Sequence, residues 1–331
     1  MQYRRLGNTD FEVSVLSFGA WQLGDPEYWG PDADVDGERA VAAAIDGGVN
    51  LFDTAEMYGN GASEEALGKA LGSKRGEVLI ASKFLPDHAA PDQLRASCEA
   101  SLQRLGTDYI DLYQVHWPVR DVPLEEVCAT LAALRDEGKI RAIGVSNFGR
   151  EDLSAWLELG GAASNQLGYN LGFRAIEYDI VPLCRREKVG ILCYMPLMQG
   201  LLTGRWTTVD EIPMLRRRTR HFSRDREGTR HDAPGCEDLL METVLQLGRF
   251  SEAIGVPLAT VSLCWCVAQP GVSSVIVGGR KPGQVERNLA AADLDLGPAA
   301  AAQLNEISGP LKYELGRNAD MWLSGENARI R

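Results

Sequence analysis

Residues 50–61 read Asn50-Leu51-Phe52-Asp53-Thr54-Ala55-Glu56-Met57-Tyr58-Gly59-Asn60-Gly61. The first three form a short apolar segment that stops at Asp53 and gives way to loop chemistry. A strand here delivers a carboxylate and, one loop turn later, the Tyr58 phenol to the same end. Two later segments finish the same way: 78–82 runs into Lys83, and 110–115 runs into His116-Trp117. An Asp, a Tyr, a Lys and a His at the carboxyl ends of successive strands are the ingredients of a proton-donating site.

The chemistry behind the combination is a problem of acid strength. A free tyrosine ionises near pH ~10, too weak an acid to protonate a carbonyl oxygen well at neutral pH. An ammonium within hydrogen-bond reach favours the phenolate, and Asp53 is suited to hold Lys83 charged and aimed. Lowering the phenol by about three pH units corresponds to roughly 4 kcal/mol. His116 is placed to polarise the carbonyl from another side. Singly, each residue has a plainer explanation: a structural ion pair, loop packing, a satisfied core histidine. Four together at strand ends favour chemistry.

Asp53-Thr54-Ala55-Glu56-Met57-Tyr58-Gly59, Ser82-Lys83 and Gln114-Val115-His116-Trp117-Pro118 resemble the active-site motifs of the aldo-keto reductases, in particular bacterial members with a long cofactor-clasping loop. The resemblance runs from Tyr3 to about Ala292. It implies Tyr58 as general acid and base, supported by Lys83, Asp53 and His116, and hydride transfer from a nicotinamide cofactor.

Working outward, short apolar runs alternate with amphipathic segments. Strands are expected at 15–18, 50–53, 78–82, 110–116, 140–145, 163–167, 191–194 and 274–277, and helices at 35–46, 63–71, 91–105, 123–136, 150–159, 178–187, 257–268 and 281–291. Eight βα units without a composition break predict one (β/α)8 barrel over residues 1–331, with every strand end on one rim. Segments 3–6 and 12–15 read as a hairpin covering the amino-terminal mouth, and 239–254 and 298–307 as two extra helices. A long active-face loop, 199–237, follows the seventh strand and carries Arg216-Arg217-Arg218-Thr219-Arg220.

No Gly-x-Gly-x-x-Gly opens a βα unit, so a dinucleotide must lie across the barrel rim rather than on a Rossmann turn. Ser146-Asn147 and Asn165-Gln166 end two strands with groups able to face a nicotinamide carboxamide. Tyr194, followed by Pro196 and Leu197, offers a ring for stacking. In the family the matching Ser, Asn, Gln and Tyr do these jobs, and the long loop folds over the dinucleotide. The resemblance of Leu-Leu-Thr-Gly at 201–204 extends this to Gln199, Gly200 and Leu202, with Arg220 reaching the pyrophosphate.

After the eighth strand, Gly278-Gly279-Arg280-Lys281 leads into a helix start, a generic anion site. Arg280 and Lys281 suit a 2′-phosphate and favour NADP(H) over NAD(H), while Gln284 and Asn288 match family positions at the adenine end. The segment departs from the common pattern at Val277 and Arg287.

Substrate walls are expected from Trp21, Tyr28, Trp29, Phe84, Trp117 and Met198, with Met321 and Trp322 reaching over from the tail. Such walls suit apolar aldehydes and the flat faces of sugars alike. Three functions stay open at this point: an NADPH-dependent carbonyl reductase, a sugar or cyclitol dehydrogenase, and a slow-turnover, cofactor-bound redox sensor.

The chain has 331 residues, 45% hydrophobic and 24% charged, with a formal net charge of −12. That balance opposes a sequence-independent hold on nucleic acid or anionic membrane, yet permits a local cationic cluster for phosphate. The amino-terminal residues lack the apolar run of a signal peptide, and the seven scattered cysteines read as free thiols, so a cytoplasmic location is expected. Cys264 and Cys266 fall on different faces of one helix, against a metal site. Homo-oligomerisation is left open.

Overall fold

The computed structural model describes residues 1–29 and 36–331. Strands β1 (Tyr3–Arg5) and β2 (Glu12–Ser14) form an antiparallel hairpin. Eight parallel strands close into a barrel: β3 (Leu16–Gly19), β4 (Leu51–Asp53), β5 (Leu79–Phe84), β6 (Ile110–Val115), β7 (Ile140–Ser146), β8 (Ser164–Gly168), β9 (Gly190–Tyr194) and β10 (Val272–Gly278). Closure pairs β10 with β3 and leaves the barrel no open edge.

Each barrel strand feeds a helix that packs outside it. The first spans Gly37–Asp46, capped by the Asp36 carboxylate accepting from the Arg39 N–H. Its expected start at Val35 lies outside the described residues. Two extra helices, Glu237–Ile254 and Gly297–Leu315, complete the shell. The second runs eight residues past its expected end, because Leu304, Leu311 and Leu315 keep one buried face through Pro310.

The hairpin plugs the amino-terminal mouth. Leu6 and Val13 are fully buried and cluster with Leu51, Ala81, Leu112 and Ala142 on the strands below the site. Gly7 makes this possible: its φ is +53°, and an added Cβ would meet the Ala163 carbonyl oxygen at 2.1 Å.

Register decides which side chains enter the barrel. Ser82, Lys83 and Phe84 on β5 pair with Tyr113, Gln114 and Val115 on β6. Side chains alternate along a strand, so Lys83 and Gln114 point inward while Phe84 and Tyr113 point out. The two outward rings pack at 5.5 Å under the helices. All seven cysteines are free, and Cys264 and Cys266 donate to the Leu294 and Tyr169 carbonyls respectively. Among the described residues no single helix is long and apolar enough to cross a membrane.

Candidate active site

The four residues singled out from the sequence meet at the carboxyl end of the barrel. Asp53 ends β4, Lys83 comes from β5, His116 follows β6, and Tyr58 is lent by the loop after β4. Lys83 Nζ, fully buried, donates to Asp53 Oδ1 at 2.8 Å and to the Thr54 carbonyl at 2.8 Å, and stands 3.4 Å from the Tyr58 hydroxyl. Gln166 Nε2 donates to the other oxygen, Asp53 Oδ2, at 2.7 Å. The Tyr58 ring stacks on Trp21 at 5.3 Å and meets His116 edge-on at 5.7 Å.

Electrostatics here correct one expectation. The Tyr58 phenol is pushed well above its ordinary value, not below it. Burial of the would-be anion is the main cause and the Asp53 charge adds to it. The Lys83 ammonium cannot offset this, because Asp53 already balances its charge at contact distance. Lys83 itself is lowered by burial, against the opposing pull of Asp53. His116 is held well below its usual range, by burial first, then Lys83 and Arg329. At neutral pH the site therefore presents a protonated phenol beside a neutral imidazole.

Above this floor opens a cavity of about 1300 Å³. Trp21, Trp29, Met57, Leu85, Trp117 and Trp322 give it aromatic and aliphatic walls. Arg205, Arg216, Arg218, Arg230, Arg280, Arg287 and Arg329 also line it, against Asp53 as the one lining carboxylate among the described residues. In a chain of net charge −12 this is a local reversal of sign. An elongated polyanion with a flat polar ring at one end fits that donor set.

Most of the residues expected to hold such a molecule do border the cavity: Ser146, Asn147, Gln166, Tyr194, Pro196, Leu197, Gln199, Gly200, Gly278, Arg280, Gln284 and Asn288. Several also brace one another. Tyr194 Oη donates to Asn147 Oδ1 at 2.7 Å, and Asn147 Nδ2 to the His116 carbonyl at 3.0 Å. Asn147 sits at φ +63°, a conformation that this cross-brace holds in place. Gln284 Oε1 accepts from the Arg280 N–H at 2.8 Å, and Asn288 Nδ2 donates to the Gly278 carbonyl at 3.2 Å, so both stiffen the glycine turn. The long loop is tied across the mouth: Tyr28 Oη donates to the Leu215 carbonyl at 3.0 Å, and the Arg216 guanidinium lies 5.4 Å from the Trp29 ring centroid.

Other expectations are corrected. Phe84 is fully buried against Tyr113 and does not wall the cavity. Leu202 and Met321 are fully buried and Met198 nearly so, each in the hydrophobic core. Asn165 exchanges hydrogen bonds with the Phe148 backbone on the barrel's outer side. Lys281 is exposed at the start of helix Pro282–Leu289 and does not border the cavity. Arg220 faces away: its guanidinium donates to the Asp320, Asn318 and Leu315 carbonyls and fastens the carboxyl-terminal tail. Sequence reasoning missed Gln22, Met57, Leu85, Arg230 and Arg329. Met57 and Leu85 were within reach, each being adjacent to or two residues from a recognised group. Arg329 carried no signal, because the tail has no periodicity to read.

Comparison with known proteins gives a consistent answer. The model for the aldo/keto reductase family matches residues 15–308. Aldo-keto reductase YhdN of Bacillus subtilis is 37% identical over 298 residues, covering 86% of this chain and 87% of that protein. The NADH-specific methylglyoxal reductase of Escherichia coli is 32% identical over 332 residues, 93% and 98% of the two chains. A crystal structure of an aldo-keto reductase from Klebsiella pneumoniae in complex with NADPH superposes with a TM-score of 0.73 at 32% identity, covering 93% and 95%.

Proposed function

This chain belongs to the aldo/keto reductase family, and from that premise we propose that Tyr58 is the proton donor in its reduction of an aldehyde or ketone. The protein is an NAD(P)H-dependent oxidoreductase acting on carbonyls, and its cofactor is NADP(H). The observation that carries the assignment is the buried Lys83–Asp53 pair beside the Tyr58 hydroxyl, at the floor of an arginine-lined cavity.

When bound, the reduced nicotinamide supplies the hydride. The protein's own residues manage the proton. Tyr58, kept protonated at neutral pH by burial, donates from Oη to the carbonyl oxygen. Lys83 Nζ at 3.4 Å is placed to hold the phenolate that remains, and it is there before the proton leaves. Asp53 and Gln166 position Lys83 rather than touching substrate. His116, neutral because its charged form is disfavoured, orients the carbonyl without competing as an acid.

Ser146, Asn147, Gln166 and Tyr194 border the end where the nicotinamide is expected. Arg280 and Arg287 beside the glycine turn supply cations for the phosphate that distinguishes NADP(H). The Escherichia coli relative is named NADH-specific, so the choice in this chain rests on those two arginines. Reduction is also the direction named for that relative.

The test is consumption of NADPH and NADH against a panel of aldehydes and ketones, by wild type and Tyr58→Phe. Turnover that survives the substitution would remove Tyr58 from its role.

A further inference from the structure

Arg329 stands apart from the other cavity arginines. It comes from the carboxyl-terminal tail, and its guanidinium lies 3.6 Å from the ring centroid of Trp117, the residue after His116. Trp322, another wall of the cavity, lies 6.0 Å from the same group. Asp320, fully buried, holds it from one side: Nε donates to Oδ2 at 2.8 Å and Nη2 to Oδ1 at 2.9 Å.

A guanidinium carries five N–H donors in one plane. Asp320 occupies the Nε–Nη2 edge, which leaves one hydrogen of Nη1 and one of Nη2 as a second fork. Two parallel donors in that arrangement match a carboxylate. Trp117 covers one face of the plane, so a partner must approach edge-on. Nor does Asp320 spend its whole charge on Arg329. It also accepts from the backbone N–H groups of Trp322, Leu323 and Arg329 at 3.0, 3.2 and 3.1 Å. Positive potential reaches the reacting end, since Arg329 is among the groups holding His116 below its usual range.

The fork is held firmly. Arg220 clamps the Asp320 and Asn318 carbonyls, each at 2.7 Å. At the other side of Arg329, the Arg331 N–H donates to Asp152 Oδ2 at 2.8 Å, and its carbonyl accepts from the Glu151 and Asp152 N–H groups at 2.9 and 3.2 Å. Asp53, the one lining carboxylate among the described residues, is taken up by Lys83 and Gln166 and does not compete for the fork.

We propose that Arg329 is a specificity-determining residue that selects aldehydes or ketones bearing a carboxylate, gripped by the open edge of its guanidinium. The inference rests on the reduction at Tyr58 proposed above. The carboxylate would sit against Trp117, with the carbonyl turned toward Tyr58.

The experiment compares kcat/KM for 4-carboxybenzaldehyde with that for its neutral isostere 4-carbamoylbenzaldehyde. Wild type is expected to favour the acid by at least about tenfold, since a charge-assisted fork outweighs a neutral contact by that order. In Arg329→Gln the ratio falls to near one, with the loss in KM for the acid. Arg329→Lys, which keeps the charge but not the fork, falls between and serves if the glutamine variant does not fold. A wild-type ratio near one, or a ratio unchanged in either variant, overturns the proposal. If wild type reduces neither aldehyde, that outcome bears on the reduction proposed above and not on Arg329, and the inference is decided by calorimetry with NADP-loaded protein. Benzoate binding at least about tenfold tighter than benzamide supports it, and equal affinities overturn it.

Discussion

The floor of the cavity and its rim treat charge in opposite ways. At the floor, Lys83 and Asp53 satisfy each other from neighbouring strands, and Gln166 takes the second carboxylate oxygen. Those charges are balanced within the chain. At the rim, arginines gather with almost no lining carboxylate, so the cavity surface there is positive. Two neighbours in one basic run mark the boundary. Arg218 borders the cavity 5.3 Å from the Tyr28 ring, while Arg220, 7% exposed, is spent on backbone carbonyls of the tail. Residue type therefore says what a loop arginine is able to do, and packing says whether it recognises a ligand or fastens the fold.

The largest effect tests the floor. Tyr58→Phe should cut reduction at least about a thousandfold, about 4 kcal/mol in the barrier. NADPH affinity by fluorescence titration should stay within about threefold, since the hydroxyl acts on the proton and not on nucleotide binding. A tenfold loss of affinity instead would mean that floor and rim are not separable.

The inner seam of the long loop should respond to pH. His221 is fully buried between the Thr219 hydroxyl and the Gly172 carbonyl, and burial lowers it to about 4. In the unfolded chain it titrates near pH ~6.5. Below that pH the unfolded state binds a proton that the folded state refuses, so stability is full above pH ~6.5 and falls on acidification toward pH ~4. The loss from this group approaches roughly 3 kcal/mol. Melting temperatures from pH 7 to 4.5 should fall more steeply in wild type than in His221→Gln; parallel curves would place the seam elsewhere.

Arg220→Ala should cost about 2–3 kcal/mol in urea unfolding, because buried carbonyls lose a charged donor. NADPH affinity of the folded variant should be unchanged. The reverse pattern would move Arg220 to the ligand-facing side of the comparison.

The smallest effect divides the glycine turn. Arg280→Ala should raise the NADPH Kd about tenfold, ~1.4 kcal/mol, with NADH nearly unaffected. Lys281→Ala should change either by less than about threefold, because Lys281 is exposed and does not border the cavity. Equal losses for both nucleotides would show that Arg280 supports the turn through its bond to the Trp29 carbonyl.

The barrel was legible because its information is local and periodic. Most strands are short apolar runs ended by loop chemistry, most helices have one apolar face, and right-handed crossovers put every strand end on one rim. The same logic brings Asp53, Lys83 and His116 together from the sequence alone. It should also have excluded Phe84 and Asn165: side chains alternate, so neither shares the face of the inward Lys83 or Gln166 next to it.

The sequence by itself determined the fold, the four residues of the floor and the class of chemistry. Only the tertiary structure decided the rest. It sent Arg218 to the cavity and Arg220 to the tail, turned Leu202 inward, raised the Tyr58 phenol rather than lowering it, and set Arg329 on Trp117. Loops and tails have no repeat that fixes where a side chain points. The acidity of a buried group follows from how much water and which charges surround it, and both are set by segments far apart in the chain.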